Sequence, residues 1–207
     1  EQYPLATQAY ARALRVNHVN EGFYNLDQIS IRDGLTEGYL GQLDLEKANF
    51  HQEAQIYVQQ RKLGRDNPAL VGPLTKLGRW YDRSNQTEAA RLVYQGAARL
   101  VEAADGQNSP GMVEPLLAIA ETYRQQALLP PDPESNQSPE TLLPLSSMML
   151  RKALGIVEQQ SPPDPAERAR ILVKLGELYL MWGKQNTASE RYKEAWQILS
   201  ADPALEV

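Results

Sequence analysis

One figure occurs twice in this chain, and it restricts what the chain can fold into more than any other feature. Leu77-Gly78-x-x-Tyr81 is followed, nine positions after the tyrosine, by Ala90-x-x-x-Tyr94-x-x-Ala97. Leu175-Gly176-x-x-Tyr179 is followed, again nine positions on, by Ala188-x-x-x-Tyr192-x-x-Ala195. Steps of three and four between apolar residues are helical spacing. The polar break Asp82-Arg83-Ser84-Asn85-Gln86 between the two halves suits two antiparallel helices joined by a tight turn. Gly78, Ala90 and Ala97 are small where two helix axes must approach, and the tyrosines fill the space beside them. The figure is also periodic. Tyr39, Tyr81 and Tyr123 stand 42 apart, and so do Gly22, Gly64 and Gly106, each placed to stop a long second helix with a left-handed C-cap.

This order of residues resembles the tetratricopeptide repeat (TPR), and the 42-residue period resembles its kinesin-light-chain-like subclass. The resemblance implies an all-α fold, a right-handed α-solenoid of TPR helix pairs, in which each pair buries its apolar seam by stacking on the next. Residues 1–207 are expected to form a single array. Residues 1–20 carry Ala6-x-x-x-Tyr10-x-x-Ala13, the second half of the figure alone, and read as the lone second helix of a cut repeat. The step from Ala13 to Leu35 is 22, as it is from Ala97 to Ile119 and from Ala153 to Leu175. On that register Ala6, Tyr10 and Ala13 face a missing first helix, while Leu5, Ala9 and Leu14 pack forward. Repeat one spans 27–64 and matches least well, because Gln52 and Gln55 hold the Tyr and Ala positions. Repeat two spans 66–106 and opens on Asp66-Asn67-Pro68, a helix-start signal. Repeat three spans 110–160 and repeat four 164–200. Tyr123 to Tyr179 is 56, an excess of 14, and the excess lies in the turn of repeat three. It is read as a mobile insertion, 127–144, around the proline-rich stretch Leu129 to Pro139.

A net charge of −5 and a pI near 5.2 disfavour a general nucleic-acid partner and an anionic membrane surface. No apolar run approaches a membrane-spanning length, so no direct membrane insertion is expected of this segment. Neither of the two histidines, His18 and His51, has a companion at metal-ligand spacing. Both are expected to be solvated or capping. No cofactor, no metal and no catalytic residue is assigned, and the chain is read as a non-enzyme.

Binding is the remaining expectation, since the first helices of such pairs line the inner, concave wall. Alignment on Leu77 and Tyr81 gives Thr75, Lys76, Arg79, Asp82 and Arg83 in repeat two, and Asp33, Glu37 and Leu40 in repeat one. Repeat three contributes Leu117, Glu121, Arg124 and Gln125, and repeat four Val173, Lys174, Glu177 and Met181. The strongest candidates for a protein or peptide partner are Lys76, Arg79, Arg83, Glu121, Arg124, Lys174 and Glu177. The chaperone-binding TPR class grips a peptide carboxylate with a basic set at these places. Here Glu37, Glu121 and Glu177 stand where repeat two has Arg79, so that mode is not expected.

Three further stretches carry a finer resemblance. They are Asn20-Glu21-Gly22-Phe23-Tyr24-Asn25-Leu26-Asp27-Gln28, Gly64-Arg65-Asp66-Asn67-Pro68, and Glu194-Ala195-Trp196-x-x-Leu199-x-x-Asp202-Pro203-Ala204-Leu205. With them the chain looks like bacterial TPR proteins whose array precedes a C-terminal TonB-like domain, a module not within these residues. The resemblance implies a non-catalytic interaction scaffold in a bacterial cell-envelope assembly, on the periplasmic side, with the cytoplasm as the other compartment. Two other readings stand beside it. One is an accessory or regulatory repeat domain of a larger enzyme or transport protein. The other is a self-associating module, a weak homodimer through residues 1–20.

Overall fold

The computed structural model describes residues 2–130, 137–162 and 164–201. The centre of the expected insertion, 131–136, and the stretch from Asp202 to Leu205 lie outside them. Among the described residues all regular structure is helical, in nine α-helices and two short 3-10 turns. No helix among them is long and apolar enough to cross a membrane. The chain divides into two compact units, Glu1–Leu77 and Gly78–Val207.

The first unit contains α1 (Gln2–Glu21), α2 (Gln28–Gly41), α3 (Leu45–Leu63), a 3-10 turn (Pro68–Leu70) and the opening of α4 (Val71–Arg83). Helix α3 starts where the Asp44 carboxylate accepts the Lys47 N–H, and Asn67 does the same for Ala69 ahead of α4. Helix α3 ends at Gly64, with φ 95° and ψ 149°. A positive φ strains any residue with a Cβ, but this is not the left-handed helical cap the sequence suggested: ψ is extended, a combination essentially open to glycine only.

Helices α1 and α2 pack antiparallel through an interlock of rings and glycines. A Cβ placed on Gly34, Gly38 or Gly41 would fall 2.4 Å from Tyr10, Thr7 or Tyr3 respectively. This corrects the expected facing of α1. Tyr10 lies against α2, not toward a missing helix, and Leu5 and Ala9 are exposed instead of packing forward. The reason is the bare glycine face of α2, which accepts only the α1 face that carries rings.

The pair α2–α3 has a polar seam. Gln52 and Gln55 are both buried, and Gln52 Nε2 donates to Thr36 Oγ1 at 3.2 Å, where the figure elsewhere sets Tyr94 on Gly78 and Tyr192 on Gly176. Arg32, also buried, donates to Gln28 Oε1 at 2.8 Å and to His51 Nδ1 at 3.3 Å. Buried polar groups persist only when they are mutually satisfied. His51 is therefore a core residue, a correction to the solvated role expected of it. His18 is half-buried and meets Gln28 Oε1 at 3.1 Å.

The second unit holds the rest of α4, then α5 (Thr87–Asp105), a 3-10 turn (Pro110–Met112), α6 (Val113–Gln126), α7 (Pro139–Glu158), α8 (Pro165–Met181) and α9 (Gln185–Ala201). Consecutive helices pack together, α5 on α6, α6 on α7, α7 on α8 and α8 on α9. The repeated figure does here what its residues predict. The Tyr94 ring sits on Gly78 and the Tyr192 ring on Gly176, while Ala90, Ala97, Ala188 and Ala195 are buried. Ser146 takes the small position in the third pair, and its hydroxyl donates to the Ala120 carbonyl at 2.8 Å.

The insertion is shorter than expected. Helix α7 begins at Pro139, so residues 139–144 are helix and not mobile loop. Three local causes combine: proline at the first helical position, a Ser138 N–H that donates to Thr141 Oγ1 at 3.2 Å, and the buried pair Leu142 and Leu143. A proline-rich composition hid a helix start.

Candidate protein-interaction face

In the first unit the candidate Lys76 is engaged. Its ammonium meets Asp33 Oδ1 at 2.8 Å and Oδ2 at 2.9 Å. Asp33 also accepts from Gln55 Nε2 at 2.8 Å. The glutamines that weaken the repeat signature thus orient a carboxylate, which in turn holds Lys76. Sequence reasoning placed Asp33 and Lys76 on the same wall but missed their pairing. Its signal was the two glutamines at ring and alanine positions.

In the second unit the first helices α4, α6 and α8 supply the remaining candidates. Arg79 and Arg83 are exposed on α4, and Arg83 Nε donates to the Arg79 carbonyl at 3.3 Å. No carboxylate among the described residues forms an ion pair with either guanidinium. Their neighbour Asp82 turns inward. Its Oδ2 accepts the Tyr94 hydroxyl at 2.7 Å, and its Oδ1 is buried without a partner. Burial, together with the charge of Glu121, pushes the Asp82 carboxyl above its usual range, and the Tyr94 hydrogen bond only partly opposes this. Burial and the adjacent Asp82 push the Tyr94 hydroxyl upward as well.

On α6, Arg124 clasps Glu121 in a two-pronged pair, Nε to Oε2 at 2.8 Å and Nη2 to Oε1 at 2.5 Å, and Gln125 adds a contact at 3.2 Å. Burial alone would raise the Glu121 carboxyl. The Arg124 guanidinium, Gln125 and the charge of Lys174 overcome it and hold the group below the ordinary carboxylate range. The same pairing raises Arg124, with a further contribution from Glu177. Arg124 Nη1 also reaches Met181 Sδ at 3.7 Å. Arg124, Glu121, Lys174, Glu177 and Met181 are therefore close enough to interact. Leu117 is an exception, since it is buried in the core.

Among the described residues the wall carries a cationic end at Arg79 and Arg83 with no carboxylate partner, a self-neutralised centre at Glu121 and Arg124, and a mixed end at Lys174 and Glu177. Among the described residues no group of His, Asp or Glu side chains is arranged to hold a metal ion.

No family model and no curated protein matches the sequence. Solved structures do match the architecture. BtubC (BKLC) from P. vanneervenii is 17% identical with a TM-score of 0.66, over 100% of this chain and 77% of that one. A Podosopora anserina putative kinesin light chain with nearly identical TPR-like repeats is 13% identical with a TM-score of 0.68, over 97% of this chain and 88% of the other. MamA is 13% identical with a TM-score of 0.57, over 98% and 91%. The fold is that of a TPR-like repeat protein.

Proposed function

We propose that this TPR-like chain is a non-catalytic scaffold that binds a segment of a partner protein on its first-helix wall. The observation that carries the reading is the charge arrangement in the second unit. Two exposed arginines on α4 have no carboxylate partner among the described residues, beside an electrostatically linked set from α6 and α8. Free charges on rigid helices give a partner fixed points to meet, and complementary charge sets both specificity and association rate. Lys174 and Glu177 complete the recognition set in this reading, and the clasped Glu121–Arg124 pair acts as a neutral spacer.

The test is a tiled peptide array probed with the purified protein and with an Arg79→Glu/Arg83→Glu/Lys174→Glu variant of unchanged circular dichroism. Peptides captured by the native protein and lost with the variant support the reading. Capture unaffected by the triple reversal would falsify it. The bacterial cell envelope is the proposed setting, by resemblance to TPR proteins with a TonB-like domain. Fractionation of native cells checks it, and recovery in the cytosol alone removes that part.

A second reading, self-association, is favoured by the outer face of α1. Leu5, Ala9, Ala13 and Val16 form an exposed stripe in which two larger residues flank two alanines. Such a stripe matches its own copy run antiparallel, with small residues at the crossing. Sedimentation at two concentrations tests it, and a Leu5→Glu/Val16→Glu variant is expected to remain monomeric. A native chain that is monomeric throughout rejects this reading.

A further inference from the structure

A second recessed site lies away from the first-helix wall. Pro144, Ser147, Met148, Arg151 and Lys152 on α7 face Tyr179, Trp182 and Lys184 at the end of α8, around an open cleft of about 520 Å³. Positions 144, 148 and 151 are four and three apart, so they share one face of α7. On α8, Tyr179 points well away from the face that carries Lys174, Glu177 and Met181, and Trp182 follows directly after the helix. The floor is fixed by the Ser147 and Tyr179 hydroxyls, 3.2 Å apart. The Tyr179 and Trp182 rings are stacked at 6.3 Å with planes 16° apart, and the Lys184 ammonium sits 3.2 Å from the centre of the Trp182 ring.

The charge of this cleft runs against that of the protein. The chain is net −5, yet the cleft holds three cations, and none of the described residues lining it is acidic. No carboxylate among the described residues pairs with Arg151, Lys152 or Lys184. Its other wall, Pro144 and the half-exposed Met148, is apolar. A thioether is a deformable surface suited to an aliphatic side chain.

We propose that this cleft binds an acidic peptide segment of a partner protein, one that sets carboxylates beside an apolar residue. The carboxylates meet Arg151, Lys152 and Lys184, and the apolar side chain lies on Pro144, Met148 and the edge of Trp182. Arginine offers a planar fork matched to a carboxylate, and lysine a point charge. This site is separate from the wall at Arg79 and Arg83, and it stands whether or not that wall is occupied.

The test uses calorimetric titration of the full chain with a soluble peptide of sequence Glu-Leu-Glu-Glu-Leu-Glu, and with the lysine-for-glutamate version as control. Binding of the acidic peptide and not the basic one is expected, weakening as salt rises. An Arg151→Glu/Lys152→Glu variant is expected to lose at least about tenfold in affinity, because two attractive charges become repulsive. A Lys62→Glu/Arg65→Glu variant, which reverses two exposed charges outside both proposed surfaces, is expected to bind this peptide as the native chain does. Affinity unchanged in the Arg151/Lys152 variant, or lost equally in the Lys62/Arg65 variant, or lost only on Arg79→Glu/Arg83→Glu substitution, overturns the assignment. Binding of ATP at these side chains without binding of the peptide also overturns it, in favour of a small-molecule anion site.

Discussion

A Cβ added to Gly78 would stand 2.3 Å from Cε1 of Tyr94. Tyr94 cannot yield easily: its ring is 3% exposed and its hydroxyl is held by Asp82 at 2.7 Å. At Gly176 the same test gives 2.8 Å to Tyr192, whose ring is only half-buried. Gly78→Ala is therefore expected to cost about 1–3 kcal/mol through overpacking. Gly176→Ala is expected to lie near neutral, since the gain in helix propensity of about 1 kcal/mol offsets a smaller displacement. Urea melts of both variants check the contrast, and equal losses contradict it.

Tyr81 and Tyr179 occupy matching places in the sequence figure but differ in burial. Tyr81 is 7% exposed, while Tyr179 borders the cleft beside Trp182 and is half-buried. Tyr81→Ala is expected to cost about 3–5 kcal/mol, as large aromatic deletions from cores do. Tyr179→Ala is expected to cost clearly less. A reversed order in thermal unfolding refutes the burial argument.

His51 gives the protein an acid sensitivity with a defined window. Burial, reinforced by the Arg32 charge, lowers its pKa from 6.5 to about 4. Below pH 6.5 the unfolded chain takes up a proton that the folded chain refuses, so stability is full above 6.5 and falls as pH drops toward 4. The loss over that window is about 2–3 kcal/mol. His51→Gln, which keeps an acceptor for Arg32 but does not titrate, is expected to flatten the dependence between pH 6.5 and 4.5. Glu121, whose folded pKa is lowered, acts in the same direction but only as pH falls below 4.5, the ordinary value of a glutamate. A native chain with equal stability at pH 7 and 4.5 excludes the buried neutral histidine.

Tyr94→Phe removes the hydrogen bond that Asp82 Oδ2 accepts, beside an Oδ1 already buried with no partner among the described residues. An unsatisfied buried group costs about 1–3 kcal/mol, more when charged, so the variant is expected to lose stability on that scale at neutral pH. Asp82 has a raised pKa when folded, so protonation relieves it, and the deficit is expected to shrink as pH falls. A constant deficit from neutral to acid pH assigns the loss to packing instead.

The sequence by itself determined the helix pairs. The steps of three and four, the glycines and the tyrosines are local patterns, and Gly78 on Tyr94 and Gly176 on Tyr192 are the contacts that they predict. Helix stops at Gly64 and Gly106 were legible for the same reason, although the observed ψ of 149° and 161° had to be seen. Only the tertiary structure decided which way a helix turns its faces. Ala6, Tyr10 and Ala13 share their spacing with Ala90, Tyr94 and Ala97, yet Tyr10 meets a neighbouring helix that the register would have left to Leu5 and Ala9. Spacing fixes which residues share a face, and the partner surface, here the glycines of α2, selects the face that is buried. The pairing of Lys76 with Asp33 and the burial of His51 beside Arg32 arose in the same way. Each joins residues on different helices, and no periodicity within one helix records the distance to another.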